Sequence, residues 1–416
     1  MRFTRDLLSS RNQKGIAIIM AVFCTVLILY IVNEVTYETN VEYMIHAQSV
    51  NRLKAYYAAR SGVELSLLRI KVYKTVQKQY GAQLGAQAGL LNLIWSFPLG
   101  WPPTLPTEAS GVEKEGVQDK VKEAQMDANF NATIFDEGSK VDINDLTSPS
   151  KALAEITKKQ VLKIFETKIE LEPEWARTHQ DLVPTELVNN IIDWLDADTQ
   201  SLNNGDERQF YKDVPDTAKT FPPNRAFRTL NELRLVAGMK DEYFDLLAPS
   251  ITVFGAKAIN PNSASKEVLK SLDSSITDKV VAEIITRRDD PSNGGFFSKD
   301  QEFWDFVNSK DGRVSPDVQK DTPLIFDAVS NFSIRSVGEY NGAIREINAV
   351  VFDIASAADI VGKKLKAEKA AAAGPGANPA PPSTPGVGSG PSAGAPSAGR
   401  NTPSKGPPRI VYWYEK

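Results

Sequence analysis

The run "IAIIMAVFCTVLILYIV", Ile16 to Val32, carries no charge and follows a leader in which Arg2, Arg5, Arg11 and Lys14 face only Asp6. A helix that is apolar on every side needs lipid or protein all round it, so this run decides much of what the chain can become. As a helix it spans about 25 Å, slightly under a hydrocarbon core of about 30 Å. The basic leader predicts a cytoplasmic N-terminus and export of the rest. A removable secretory signal ends in small residues of the A-x-A kind. Asn33 and Glu34 follow Val32 instead, so the segment is expected to be retained.

The helical pattern continues past the apolar run. Between Asn33 and Lys74 there is no proline and one glycine, and Val41, Ile45, Leu53, Val63, Leu67 and Ile70 recur on helical spacing. This predicts one helix of roughly 60 residues over 16–80, transmembrane over 16–32 and amphipathic beyond. A net charge of -4 with pI near 5.6 argues against a broad nucleic-acid surface. Two histidines, His46 and His179, leave little for a His-based zinc site or hydrolytic triad, and the lone Cys24 allows no internal disulfide.

Beyond the helix the chain reads as a pilin-like body over 81–141, with a Gly/Pro-rich loop holding Trp95 and Trp101. A hairpin is expected over 128–143 around "DEGSK". A mainly helical insertion comes next over 142–327, with helices at 151–167, 185–196, 230–237, 266–272, 277–288 and 299–307 and an extended piece at 249–255. Within it "DINDLTSPSKALAEI" and "AINPNSASKEVLKSL" look like a degenerate repeat: Ile143, Leu153 and Ile156 match Ile259, Leu269 and Leu272, each unit with a Ser-rich N-cap. Two antiparallel strands around "GEYNGA" are expected within 328–360. Residues 361–408 read as a Pro/Gly/Ala-rich linker, and "RIVYWYEK" over 409–416 as a terminal strand.

The densest chemistry is "IIDWLDADTQSLNNGDERQFY", Ile191 to Tyr211, where Asp193, Asp196 and Asp198 crowd a helix end before Asp206 and Glu207. Carboxylates at this density repel one another unless a cation or solvent relieves them. Calcium suits an all-oxygen loop, although the spacing is not that of an EF-hand. The alternative is a solvated acidic loop.

Two sets of motifs carry a family resemblance. Lys14-Gly15 before the apolar helix resembles the processing site of type IV pilin-like proteins, which implies cleavage by prepilin peptidase and Ile16 as a first mature residue open to methylation. Most pilins carry glutamate at the fifth mature position, where this chain has Met20. "DWLDAD" with Gly205, Glu207 and Tyr211 resembles the D-W-[IL]-D-x-D…G-x-E-x-x-x-Y signature of the K-type minor pseudopilins of type II secretion, whose members lack that glutamate. "RTLNELRLVAGM", "YFDLLAPSITVF" and "INPNSASKEVLKSL" resemble further blocks of that family, in the same order. The resemblance implies an α+β fold: a type IV pilin-like long helix and small antiparallel sheet with a helix-hairpin-helix or SAM-like insertion. It implies structural calcium at Asp196, Asp198 and Glu207, with Asp193 and Asp206 as weaker ligands. Arg208 stands where the family often has an acid, which puts a second ion in doubt.

The implied role is a non-enzymatic cap of the pseudopilus tip, in the inner membrane with its bulk in the periplasm. Its partners would be I- and J-type minor pseudopilins, the major pseudopilin, prepilin peptidase, the inner-membrane assembly platform and secreted cargo. Met20 would mark the tip, because a subunit with no neighbour ahead of it has no use for a pairing carboxylate. Two rivals are a minor pilin of a type IV pilus-like fibre and a membrane-anchored DNA-binding protein. "LDSSITDKV" lacks the glycines of a phosphate-binding hairpin and carries Asp273 and Asp278, which argues against nucleic acid as a partner.

Overall fold

The computed structural model describes residues 10–103, 111–211, 221–326, 331–372 and 409–416. Leader residues 1–9 and linker residues 373–408 fall outside them. Helix α1, Ser10–Leu84, is 75 residues long, about 110 Å. Its large apolar side chains from Ile16 to Tyr37 are all exposed, and it is long and apolar enough to cross a membrane. From Ala55 onward one stripe is buried: Ala55, Ala58, Ala59, Val63, Ser66, Ile70 and Tyr73. Their spacing of three and four turns a single helix face to a sheet.

The expected Gly/Pro-rich loop is ordered structure. A 3-10 stretch, Gly85–Asn92, extends α1 into α2 (Leu93–Ser96) and then edge strand β1 (Leu99–Trp101). Trp95 is the reason: it packs edge-on against Tyr73 at 6.2 Å and Phe332 at 5.4 Å, fixing the segment to the core. After α3 (Gly111–Glu123) comes β2 (Asn129–Asp136), whose alternating burial follows from its alternating sequence.

The 128–143 hairpin does not form. Asp136 accepts the Gly138 amide and starts a 3-10 turn, so the chain leaves the sheet at "DEGSK" instead of reversing. β2 pairs instead with β5 (Phe332–Tyr340), far along the chain. Past Asp136 the chain enters the helical domain. It holds β3 (Val141–Asp142), α4 (Lys151–Leu171), α5 (Pro173–Thr178), α6 (Pro184–Leu195), α7 (Asp241–Leu247) and β4 (Ile251–Thr252, parallel to β3). Then come α8 (Lys266–Ser271), α9 (Asp278–Asp289), α10 (Asp300–Ser309) and α11 (Pro316–Asp321). Residues 230–235 form a 3-10 turn in place of the expected helix. Both repeat units bury their matched apolar positions, and Ser150 and Ser265 cap α4 and α8 by accepting the Leu153 and Val268 amides at 3.3 Å.

β5 and β6 (Ala343–Phe352) form the expected hairpin, with Asn341 and Gly342 at φ 45° and 77° making its tight turn. The chain does not pass straight into a linker. α12, Ile354–Ala372, reaches the helical domain, where Glu368 accepts Ser150 Oγ at 2.6 Å and the Ala152 amide at 2.9 Å. β7 (Arg409–Glu415) then completes an antiparallel sheet ordered β1-β2-β5-β6-β7. The result is α+β and pilin-like: a long helix, a small antiparallel sheet and a large, mainly helical domain.

Candidate metal centre

Helix α6 buries Leu187, Val188, Ile191, Trp194 and Leu195 and ends at Asp196, which leaves the helical region as its C-cap. Trp194 anchors the loop beyond it. Phe221 at 5.3 Å and Phe227 at 5.6 Å stack on it, and Tyr211 lies 6.4 Å away. The stretch between Asp196 and Tyr211 is therefore pinned at both ends to one aromatic stack. Asn204 and Gly205, at φ 72° and 93°, turn it back so that Ser201 N donates to the Gly205 carbonyl.

Three acids converge there. Asp193, Asp196 and Glu207 each turn one carboxylate oxygen to a common point, with these oxygens within 4.8 Å of one another. Asp193 is otherwise satisfied, taking Ser201 Oγ at 2.7 Å and the Leu202 amide at 3.1 Å. Glu207 is 1% exposed, and among the described residues its Oε1 has no hydrogen-bond partner; neither has Asp196 Oδ1. Burial, with the charges of Asp198 and Asp193 added, pushes the Asp196 carboxyl up to about 6. Burial and the neighbouring Asp196 and Asp193 push Glu207 up to about 7.

The residues fit a hard cation. At calcium–oxygen distances of about 2.4 Å, two ligands on opposite sides of the ion stand about 4.8 Å apart. The set is all oxygen, without the nitrogen or sulfur that zinc prefers. Asp198 lies beside the cluster, with Oδ1 taken by the Gln200 amide at 2.8 Å. Asp206 does not join: Arg208 holds both its oxygens, one through Nη2 at 2.8 Å. Asn224 is a neighbour that acid spacing could not reveal. From a left-handed backbone (φ 47°) its amide donates to the Asp198 carbonyl and, at 3.4 Å, to Glu207 Oε2. The proline pair before it was the available signal of a turn aimed back at the loop.

The processing candidates sit elsewhere. Lys14, Gly15, Ile16 and Met20 lie in the first turns of α1; Ile16 and Met20 are exposed, and nothing approaches Gly15 within 4 Å. The acidic hairpin between α8 and α9 keeps its cations occupied: Asp278 pairs with Lys266 at 2.9 Å and Lys270 at 3.1 Å.

Residues 139–256, which contain this loop, match the sequence model of the family described as type II secretion system (T2SS), protein K. No curated protein matches the chain by sequence. Among solved structures, the chain is similar in fold to one in the GspK-GspI-GspJ complex from the enterotoxigenic Escherichia coli type 2 secretion system. The TM-score is 0.51 at 15% identity, covering 76% of this chain and 95% of that one. That family and that fold are structural components of pseudopili, not known enzymes. The family match over residues 139–256 lies in the helical domain, and the fold of the chain around it is similar to that solved chain; both are in keeping with the resemblance to the K-type minor pseudopilins carried by "DWLDAD" and the blocks after it.

Proposed function

We propose that this chain is a minor pseudopilin that caps the tip of a type II pseudopilus and nucleates its assembly. The observation that carries the reading is the combination of a wholly exposed apolar half-helix with a pilin-like sheet and a large helical domain inserted into that sheet. α1 anchors the chain in the inner membrane with the basic leader in the cytoplasm and the sheet and helical domain in the periplasm. Prepilin peptidase cuts behind Gly15 and leaves Ile16 as a methylated N-terminus. The exposed face of α1 packs against other pseudopilin helices, through side-chain contact more than lipid exclusion. Met20 gives no carboxylate to pair with a neighbour's amine, and an unpaired carboxylate in lipid is costly. That suits a subunit with nothing ahead of it. By analogy with the complex it resembles, its immediate partners are I- and J-type pseudopilins, with the major pseudopilin and the assembly platform below and cargo above.

Calcium in the Asp193–Asp196–Glu207 cluster is structural in this reading. It neutralises crowded carboxylates and braces the loop, activating no water. The test of the whole reading is the mass of the mature N-terminus in cells carrying the secretion system. The chain should begin at Ile16, and Gly15→Ala should leave the leader attached. A mature chain starting elsewhere, or normal processing of the variant, removes the pseudopilin reading.

A further inference from the structure

The helical domain and the pilin body have separate hydrophobic cores with no residue in common. The core of the helical domain closes over three charged side chains. β3 and the 3-10 turn after it supply Asp142 and Asp145, and the segment following β4 supplies Lys257. Lys257 Nζ stands 2.7 Å from Asp142 Oδ2 and 2.8 Å from Asp145 Oδ1. Both carboxylates are buried, and the flanking Val141, Ile143, Leu146 and Ile259 belong to the core.

The three groups are fixed from several sides. Asp142 Oδ1 accepts the Asn144 amide at 3.0 Å, and a Cβ on Gly255 would stand 2.5 Å from Asp142 Cβ. Lys257 holds a left-handed backbone (φ 63°), which is uncommon outside glycine and kept where the surroundings impose it. Beside them lies a cavity of about 20 Å³, room for one water, lined in part by Leu153, Ile156, Thr157 and Gln160. The other cation at this cavity, Lys140, is paired with Glu137 at 3.4 Å. An amine in contact with one carboxyl, and with a second carboxyl placed to carry protons, has the parts of an amide-forming centre.

We propose that Lys257 and Asp142 join through an intramolecular amide bond, with Asp145 as the proton carrier. The ion pair already holds every proton the reaction needs. Passing one from Lys257 to Asp142 gives a neutral amine, a carboxylic acid and the Asp145 carboxylate, with no change in net charge. Lys257 Nζ then attacks Asp142 Cγ, and the Asn144 amide steadies the charge that develops on Oδ1. Asp145 takes a proton from the nitrogen and gives it to Oδ2, which leaves as water into the cavity. One C–N bond forms, one C–O bond breaks, and the Asp145 carboxylate is regenerated. Burial and the adjacent Asp142 raise Asp145 to about 7, suited to a group that takes and returns a proton. Burial works against the Lys257 charge, but the two carboxylates outweigh it and hold the ammonium above the usual lysine range. The neutral amine is therefore the minor form and the reaction is slow. Contact offsets this, since groups held together react as if at about 10⁵ M or more. The product ties positions 115 residues apart and encloses the acidic loop in a covalent ring. Tension applied where the domain joins the sheet would then be carried past that ring without opening it.

The test is intact-mass and peptide mass spectrometry of the full chain, purified in detergent and held overnight at neutral pH. The chain should be lighter than its sequence by one water, and a tryptic digest should contain one branched peptide joining the Asp142 segment to Lys257. Lys257→Arg keeps the charge but should retain the water, and so should Asp145→Asn, which removes the proton carrier. A wild-type chain at full mass leaves an ordinary buried ion pair and overturns the proposal, whether or not the variants fold. So does a missing water that maps elsewhere, as by ring closure at Asp311-Gly312, or one that persists in Lys257→Arg. Removal of the leader changes the mass by a different and larger amount, so the bond and the pseudopilin reading stand or fall separately.

Discussion

Asp196 and Glu207 each hold one buried oxygen that no described residue bonds, and unsatisfied charge of that kind is costly to fold around. Calorimetric titration with calcium should therefore give binding heat for the intact chain and none for Asp196→Ala; heat that survives the substitution would remove this cluster as the site. Calcium should also raise the melting temperature more at pH 7.5 than below about pH 6, because the ligands must lose their protons to bind. The ion-free chain runs the other way: raised carboxyls contribute stability when protonated, and it is lost as pH climbs through about 6 to 7. A calcium effect independent of pH would contradict this pair of signs. Residue type and spacing put Asp193, Asp196 and Glu207 in one acidic stretch, and the fold brings one oxygen of each to a common point. Asp206 shares that stretch, but its spacing gives no warning that Arg208, two residues on, turns it away from the other three. Asn224 was invisible because only the folded turn brings it back.

At the scale of elements, the long helix announced itself through unbroken periodicity, and the Asn341-Gly342 hairpin through turn chemistry. The expectation for β2 fails on its partner, not on its propensity. β2 has a strand's alternation, but its neighbour in the sheet lies beyond an entire inserted domain, and no local signal encodes that pairing. α12 straddles the expected boundary at 360, and its later part reads as linker because its alanines run on into the Pro/Gly tract. Helix and sheet meet at a contact that sequence alone could not single out. A Cβ on Gly338 would run into the Ala55 carbonyl and the Ala59 amide nitrogen, and one on Gly62 into Ser336 Oγ and Phe130. Backbone cannot yield there as a side-chain tip can. Gly338→Val should therefore cost about 2–3 kcal/mol by overpacking, read as a lower denaturant midpoint in detergent. The same change at Gly342, which has open space and lies in the turn, acts only through its positive φ. Equal stability of wild type and Gly338→Val would refute this close approach.

For the molecule as a whole, the two cores make the body and the helical domain separable in principle. Asp136, where the chain leaves the sheet, and Phe332, where it returns, are direct cross-strand partners. Replacing 137–331 by a two-residue Asn-Gly turn should leave a chain that still folds α1 against a five-stranded sheet, detectable by its circular dichroism and retained tryptophan burial at Trp95. Failure to fold would mean that α12, stripped of its contacts to α4, or β7 depends on the missing domain. The adjacency of these two positions reaches beyond the bench. A gene that already encoded a plain β2–β5 hairpin could take in a helical domain, or shed one, through a single in-frame event at the turn. The strand register on either side would not change. Proteins built on this body could in this way differ sharply in what they carry on top while keeping the same long helix and sheet below.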